Sequence, residues 1–280
     1  MSLGVAAAVL GAALLHAAWH ALVKSSGDQV TALAGMNLVS GAIALALTPF
    51  VSPPGAAASA VIALSVVLHV GYKISLAGLY KRADLSVAYP VARGLTPAMA
   101  TLLGAALIGE RPNMPAIAGI LAISLGICGL MLGGTAARIS WAAFLAAAAA
   151  GTAVAVYSVV DAYGVRINGD WLGFTVWLVA SDSLVFVAYA LATRGRTAAA
   201  AWRRGWGRTL ASGLLGTVSF GVFLWALGRE QIGPVTALRE TSIVFAALIG
   251  MTLLRERPTA AKAGSAVVVM LGTAAIALAR

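Results

Sequence analysis

The amino-acid sequence predicts an all-α integral membrane protein whose ten transmembrane helices form two inverted repeats of five. Of the 280 residues, 61% are hydrophobic and only 10% are charged. In a soluble domain about a quarter of the residues are charged, so this chain has too few charged residues to cover a globular surface. The apolar residues fall into runs of about 20, which is the length that crosses a bilayer as a helix. The second half of the chain also repeats landmarks of the first at a fixed spacing.

The apolar runs, taken in order between Pro, Gly and charged breaks, predict ten spans. They cover 4–23, 30–50, 57–80, 86–108, 115–133, 139–163, 171–193, 209–227, 232–253 and 262–279. No basic segment precedes the first run and no small-residue cleavage site follows it, so we expect a retained helix rather than a signal peptide. The cationic connection 194–208 is long enough to carry a short interfacial helix.

An internal repeat divides the chain into halves. The tripeptide Glu110-Arg111-Pro112 recurs as Glu256-Arg257-Pro258, an offset of 146 residues. The same offset places Arg93 on Arg239, Leu102 on Leu248, Gly104 on Gly250, Leu107 on Leu253 and Gly126 on Gly272. Because each half holds an odd number of spans, the second enters the membrane from the opposite side. We therefore predict one five-helix repeat over 1–135 and another over 136–280.

The charge balance and the cysteine content exclude several classes of function. The formal net charge is +10, but most cations flank apolar segments, where they anchor and orient helices. No stripe of basic and aromatic residues predicts a nucleic-acid partner. Cys128 is the only cysteine, so neither a disulfide framework nor a cysteine metal cluster can form within one chain. We expect no cofactor.

Charged residues at membrane depth are the first candidates for a site, because burying a charge there costs at least a few kcal/mol. Arg93 and Arg239 each lie about seven residues into equivalent predicted spans. Either could attract an anionic group, form a structural ion pair or extend to the interface. Glu240 and Asp182 are candidate proton carriers, and Asp182 is equally suited to a polar contact between helices.

A second pattern pairs an aromatic or imidazole side chain with a charged one. The pairs at helical i, i+4 spacing are His20 and Lys24, His69 and Lys73, Tyr89 and Arg93, and Tyr157 and Asp161. This spacing puts both members on one helix face, which suits a polar solute held by an aromatic wall and a charge. Trp19 and Lys24 could instead anchor an interface. His16 and His20 have no nearby Asp, Glu or Cys, so we expect no metal site.

The fifth and tenth spans are free of charged residues between 115 and 134 and between 263 and 279. We expect them to form scaffold or dimer contacts, and Gly126, Gly129 and Gly133 would allow close helix packing there.

At this point the chain resembles the EamA-type branch of the drug/metabolite transporter superfamily. The resemblance covers the whole chain and rests on ten helices in two halves. Its motifs are Gly109-Glu110-Arg111-Pro112, Arg255-Glu256-Arg257-Pro258, the segment LHAAWHALVK at 15–24 and AYPVAR at 88–93. The resemblance implies a transporter whose first and sixth, third and eighth, and fourth and ninth spans line the cavity.

Residues and resemblance together predict a secondary transporter in the cell inner (plasma) membrane, and not an enzyme. It would export, import or exchange a small polar metabolite, zwitterionic or anionic, by alternating access. Its partners would be this solute, the lipid bilayer and protons, and it would be a monomer or a homodimer. The candidate substrate-binding residues are Trp19, His20, His69, Lys73, Tyr89, Arg93, Tyr157, Asp161, Trp225 and Arg239; the proton-coupling candidates are Glu240, Asp161 and Asp182.

Alternatives to this function stay open. A cationic or aromatic solute could be held by Trp19, Tyr89, Tyr157 and Trp225. A membrane-embedded enzyme is less favoured, because the chain carries neither H-E-x-x-H nor G-x-S-x-G. A non-transporting assembly or sensor protein is a third class.

The cations also predict an orientation. Twelve lie in connections after odd-numbered spans or at the adjoining helix ends, whereas only Arg111, Arg166, Arg229 and Arg280 belong to the opposite face. The positive-inside rule places the twelve-cation face in the cytoplasm. Family analogy favours the opposite orientation.

Overall fold

A computed structural model describes residues 1–79, 85–129, 141–246, 248 and 260–279. The regular structure of these ranges consists of eleven helices, a further helical stretch over 242–246 and a 3-10 turn over Thr48–Phe50. They are α1 Leu3–Lys24, α2 Gln29–Leu47, α3 Ala56–Leu79, α4 Leu85–Ile108, α5 Met114–Gly129, α6 Trp141–Asn168, α7 Trp171–Arg194, α8 Arg196–Arg204, α9 Trp206–Leu227, α10 Ile232–Glu240 and α11 Ala260–Leu278.

Most of these helices are apolar enough for a bilayer. Within the described residues, six are long enough to cross it: Leu3–Lys24, Gln29–Phe50, Ala56–Ser75, Ala147–Asn168, Trp171–Arg194 and Trp206–Leu227. Three shorter apolar helices cover Ala92–Ile108, Met114–Gly129 and Gly264–Leu278. The short helix α8 occupies the connection for which an interfacial helix was predicted.

The ninth predicted span, 232–253, is interrupted in the structure. Helix α10 ends at Glu240, a turn follows at Thr241, and residues 242–246 are helical again. The amide of Thr241 bonds to the carbonyl three residues back, at Leu238, and the Thr241 hydroxyl donates to the same oxygen over 2.6 Å. Both bonds divert the carbonyl from the regular helical ladder, which tightens and ends the turn.

Contacts between Cα atoms divide the chain into two compact units. Unit 1 comprises Met1–Leu14, Gly78–Val159 and Arg229–Arg280. Unit 2 comprises Leu15–Ala77 and Val160–Gly228. Each unit therefore combines segments from both halves of the sequence, and α1 and α6 each contribute to both.

Unit 1 is built around α10, in which every residue from Ile232 to Glu240 is buried. Glycines bring α5 and α11 to backbone contact. A Cβ atom added at Gly119 would lie 2.7 Å from the Gly272 carbonyl oxygen, and one at Gly126 would lie 3.0 Å from the Ser265 carbonyl oxygen. The two helices are antiparallel, since the contact position rises along α5 as it falls along α11. Small residues at such a contact allow close packing within a membrane.

A helix cap links α4 to α10 in the same unit. Gly109 ends α4 with φ of 76°, and the Glu110 amide bonds back to the Gly104 carbonyl. This closure spans seven residues, and glycine is favoured at the position with positive φ after a helix end. The Glu110 carboxylate then accepts the amide of Ile232 at 2.8 Å, at the first turn of α10. An anionic acceptor there satisfies a free amide and complements the helix dipole.

Unit 2 is organised around the antiparallel helices α2 and α7. Ser183 lies against Gly41, where an added Cβ would be 2.6 Å from the serine Cβ. At one end of this pair, Arg194 donates to Asp28 over 2.9 Å. At the other end, the indole of Trp177 donates to the Ser52 carbonyl over 3.2 Å.

Helix α8 is fastened to this unit by one aromatic side chain. The Trp202 indole donates to the Thr31 carbonyl over 2.8 Å and covers Gly35, where an added Cβ would come within 2.8 Å of the ring. Trp202 and Ala198 are buried, whereas Arg196, Arg203 and Arg204 are exposed. The helix thus presents an apolar face to the unit and a cationic face to its surroundings.

Candidate functional site

The charged side chains at membrane depth form ion pairs inside each unit. In unit 1, the Arg93 guanidinium meets the Glu240 carboxylate through two contacts, Nε to Oε2 at 3.0 Å and Nη1 to Oε1 at 3.2 Å. The side chains are 3% and 0% exposed. The Nη1–Oε1 contact is a hydrogen bond, whereas the Nε–Oε2 contact is an ion pair without hydrogen-bond geometry, and together they join α4 to α10.

The residues beside Arg93 explain why its side chain is directed to α10. Ala92 faces α6, where a Cβ added at Gly151 would lie 2.3 Å from the Ala92 carbonyl oxygen. Gly94 faces α5, where an added Cβ would lie 2.6 Å from the Cys128 sulfur. Successive helical residues point about 100° apart, so three consecutive residues meet three different helices. The absence of side chains at Gly94 and Gly151 lets the helices approach closely enough to bury Arg93.

Arg239 precedes Glu240 and is also buried, at 8% exposure. Tyr157 of α6 belongs to the same unit and is 3% exposed. Unit 1 therefore buries two guanidinium groups, one carboxylate and one phenol among its candidate residues.

In unit 2, the carboxylate of Asp161 connects α6 to α3. Its Oδ2 lies 2.9 Å from Nε2 of His69, and its Oδ1 accepts a hydrogen bond from the Ser65 hydroxyl. Asp161 is fully buried and the His69 side chain is 11% exposed. The ring of Phe220 from α9 meets the imidazole edge to face, at 5.5 Å between centroids.

This trio has the composition of a hydrolase triad but not its order. In a serine hydrolase, histidine lies between the serine and the aspartate and takes the serine proton. Here Asp161 lies in the middle, and Ser65 donates to the carboxylate rather than to His69. The contacts among these three residues do not activate a serine nucleophile.

One turn further along α3, Lys73 links three helices. Its ammonium donates to the Asn37 side-chain oxygen of α2 over 2.9 Å and to Oδ2 of Asp182 on α7. It also lies 4.9 Å from the centre of the Phe186 ring, within range of a cation–π contact. The second carboxylate oxygen of Asp182 is buried and has no hydrogen-bond partner in the described part of the chain.

The aromatic candidates of α1 are packed into unit 2. Trp19 stacks on His20 at 3.9 Å between centroids and meets His16 edge to face at 4.9 Å. Trp19 is 9% exposed and belongs to a hydrophobic cluster that includes Phe186 and Trp202. Most of its ring surface is therefore used for packing.

Some residues that the sequence singled out lie outside the described part of the chain. The side chain of Tyr89 lies outside the described residues, as do the second motif over 255–258 and Gly133. Trp225 is half-buried in α9. Sequence reasoning missed Asn37 and Ser65, although a polar residue inside an apolar run was a signal for both, and Ser65 shares the i, i+4 face of His69 and Lys73.

Asp28 lies outside the spans, between α1 and α2. Burial acts to raise its pKa, but hydrogen bonds from Thr31 and Arg194, and the Arg194 charge, hold the pKa of Asp28 below its ordinary value of 3.8. The carboxylate also accepts the Val30 amide and so caps α2. This ionised cap fixes the turn that precedes α2.

Comparison with known proteins agrees with this architecture. Residues 140–278 match the model of the EamA-like transporter family. A solved structure described as "Crystal structure of protein" is similar with a TM-score of 0.73 at 19% identity, over 98% of this chain and 95% of that one. No curated protein matches by sequence. The second half of this multi-pass membrane chain, residues 140–278, therefore belongs to the EamA-like transporter family.

Proposed function

We propose that the protein is a secondary transporter for a small polar metabolite that is zwitterionic or anionic. One observation carries the substrate class: the helices bury charges of both signs. Lys73, Arg93 and Arg239 supply cations, and Asp161, Asp182 and Glu240 supply carboxylates. Such groups are costly in a membrane and ordinarily mark a solute or ion pathway. A solute with both an ammonium and a carboxylate group has the complementary chemistry.

The proposed mechanism is alternating access by two inverted five-helix repeats in the inner (plasma) membrane. The division into units supports the repeat. Adding 146 to the bounds of Leu15–Ala77 gives 161 and 223, close to the second segment of unit 2, Val160–Gly228. The contacts of α5 and α11 support it too. Adding 146 to 119 and 126 gives the equivalent positions 265 and 272. Gly119 contacts Gly272, the equivalent of Gly126, and Gly126 contacts Ser265, the equivalent of Gly119. An antiparallel relation between equivalent helices is expected of an inverted repeat.

The interruption of α10 also supports a solute site near Arg239 and Glu240. Transporter sites are commonly built from helices that are broken near the membrane midplane. Such a break occurs at Thr241, directly after these two charged residues. We propose that Arg93, Arg239 and Lys73 contribute to solute recognition, with Asp161, Asp182 and Glu240 as candidates for proton coupling.

The alternative substrate, a cationic or aromatic compound, has weaker support. It needs exposed aromatic faces, but Trp19 is stacked on His20 and packed in a hydrophobic cluster, and Tyr157 is buried. The enzyme alternative has no support from the Ser65–Asp161–His69 order, in which the serine donates to the aspartate and not to the histidine.

Counterflow in proteoliposomes tests the function. Vesicles containing the purified chain are loaded with an unlabelled amino acid, small organic anion or organic cation, and entry of the labelled solute is followed. We expect exchange of a zwitterion or anion, reduced at least tenfold by Lys73→Gln. Arg196→Gln removes an exposed cation of α8 and should exchange like the wild type. Exchange of organic cations alone would favour the alternative substrate, and exchange of no solute would contradict transport.

Lys73→Gln leaves Asp182 buried without its cation, so a folding control is needed. The double variant Lys73→Gln, Asp182→Asn removes both charges together. We expect it to regain the melting temperature of the wild type but not its exchange activity.

A further inference from the structure

Three buried ion pairs lie in the described part of the chain, and they differ in how they can respond to a proton. Arg93–Glu240 and Lys73–Asp182 each join a permanently or strongly basic cation to a carboxylate, so both have a net charge of zero at neutral pH. His69–Asp161 is different. Imidazole is the side chain whose charge ordinarily changes between pH 5 and 8, so only this pair combines a carboxylate with a group suited to exchange protons near neutrality.

The hydrogen bonds of Asp161 indicate which atom takes the proton. Both carboxylate oxygens already face donors, Oδ2 the His69 Nε2 and Oδ1 the Ser65 hydroxyl. This arrangement favours an ionised carboxylate and a neutral imidazole with its hydrogen on Nε2. The remaining ring nitrogen, Nδ1, is then the position at which one proton from water adds. The pair changes from a net charge of −1 to zero when it does.

Burial gives this change an energetic consequence. Asp161 is fully buried, and an unbalanced negative charge in an apolar interior is costly. The charged residues within about two turns of the pair on its own helices bond elsewhere: Lys73 of α3 to Asp182 of α7, and Arg166 of α6 to the Leu227 carbonyl at 3.1 Å. Helix α9 contributes the Phe220 ring and α2 contributes Asn37, neither of which carries a charge. Protonation of His69 therefore neutralises the site.

We propose that the His69–Asp161 pair binds and releases the proton that is coupled to solute movement, with Ser65 holding Asp161 in its ionised form. This inference rests on the proposed transport function and selects one pair from the three candidate carboxylates. The proton enters from water on one side, resides on Nδ1 as part of an imidazolium–carboxylate pair, and leaves to water on the other side.

Nitrogen-15 NMR of histidine tests proton binding without a known solute. The full chain has three histidines, so His69→Gln assigns the His69 ring signals. In the wild type, acidification should convert these signals from those of a neutral ring protonated at Nε2 to those of an imidazolium. In Asp161→Asn, the dependence of these signals on pH should differ from that of the wild type, because the imidazolium loses its anionic partner. Asp170→Asn removes an exposed carboxylate and should leave the pH response of the His69 signals unchanged.

Transport gives an independent readout of the same proposal. In proteoliposomes with an imposed pH gradient, the wild type should accumulate a solute that it exchanges in counterflow. Asp161→Asn should lose that accumulation, whereas Asp170→Asn should retain it.

The outcomes separate the two proposals. His69 signals that do not change on acidification would overturn the proton site even if counterflow is normal. His69 signals that respond to pH identically in the wild type and in Asp161→Asn would overturn it as well. Gradient-driven accumulation that persists in Asp161→Asn would overturn its role in coupling. A wild type that titrates as expected but exchanges no solute would support the proton site and contradict the transport function.

Discussion

At the scale of single residues, the Arg93–Glu240 contact should affect both transport of the solute and stability of the fold. Both side chains are almost completely removed from solvent, and the Glu240 carboxylate interacts electrostatically with Arg239 as well as with Arg93. In a buried pair, removing one partner costs more than removing both, because the survivor remains charged in an apolar environment. A loss of transport after mutation of Arg93 must therefore be separated from a loss of folding.

We expect Arg93→Met to reduce the free energy of unfolding by about 3–5 kcal/mol, because the buried Glu240 loses the cation that it contacts. The double variant Arg93→Met, Glu240→Gln should recover most of that loss while remaining inactive in counterflow. Melting of the purified proteins measures the first effect, with the exposed Arg196→Met as control. A double variant as unstable as the single one would show that the pair is not held together by charge.

The Asp28–Arg194 pair should have a small effect that depends on pH and salt. The pKa of Asp28 is lowered by folding, so its stabilisation is complete above the ordinary value of 3.8 and is lost as pH falls through the lower folded value. Asp28→Asn keeps the helix cap and removes the charge. Because 41% of the Asp28 side chain is exposed, the difference in melting temperature should be small and should decrease with salt.

Melting curves of wild type and Asp28→Asn between pH 3 and 7 check this expectation. The two curves should converge at the acidic end of the range. A difference that grows as pH falls would contradict the assigned direction.

At the scale of helices, glycine contacts determine how closely the elements pack. Helices α5 and α11 touch through their backbones at Gly119 and Gly272, and α4 touches α6 at Gly151. In a membrane there is little hydrophobic gain from bringing apolar helices together, so close packing and its dispersion energy must supply the association. Such contacts are therefore sensitive to a single added methyl group.

We expect Gly119→Ala to destabilise the protein by about 1–3 kcal/mol, since the new Cβ would lie 2.7 Å from the Gly272 backbone oxygen and force the helices apart. Gly11→Ala in α1 is the matched control, because an added Cβ there has no atom within 4 Å. The control should be neutral or slightly stabilising. Equal melting temperatures for the two variants would contradict the close approach of α5 and α11.

The helices were largely predictable and their partners were not. Apolar runs between breaks give helix positions because a membrane requires every backbone group to bond within its own segment. The end of α10 was missed because it depends on the Thr241 hydroxyl and on packing around a fully buried helix. Helical spacing placed His69 and Lys73 on one face of α3. It could not predict that His69 pairs with Asp161 and Lys73 with Asp182, because these carboxylates belong to other helices.

At the scale of the whole molecule, the cations of unit 2 are distributed unevenly. Contacts of Asp28 with Arg194 and of Thr31 with Trp202 bring the α1–α2 turn and α8 to the same end of the unit. That end also carries Lys24, Arg196, Arg203, Arg204 and Arg208. The opposite end, marked by the Trp177–Ser52 contact, lies near Arg166. This asymmetry predicts that the cationic end faces the cytoplasm.

Two matched cysteine variants test the orientation. In a Cys128→Ser background, Ser25→Cys marks the cationic end and Ser52→Cys the opposite end, and both serines are exposed. In intact spheroplasts, a membrane-impermeant maleimide should label Ser52→Cys at once and Ser25→Cys only after permeabilisation. The reverse pattern would overturn the assignment and agree with the orientation implied by family analogy.

The 147 residues that separate Arg93 from Glu240 have a consequence for biosynthesis. The ribosome delivers α4 to the membrane long before it has made α10, by about 7–30 s at typical rates of elongation. During that interval Arg93 lies in the bilayer while Glu240, which supplies the carboxylate, has not yet been made. Completion of unit 1 therefore awaits the last part of the chain, and a nascent protein that stalls before α10 carries an uncompensated buried cation.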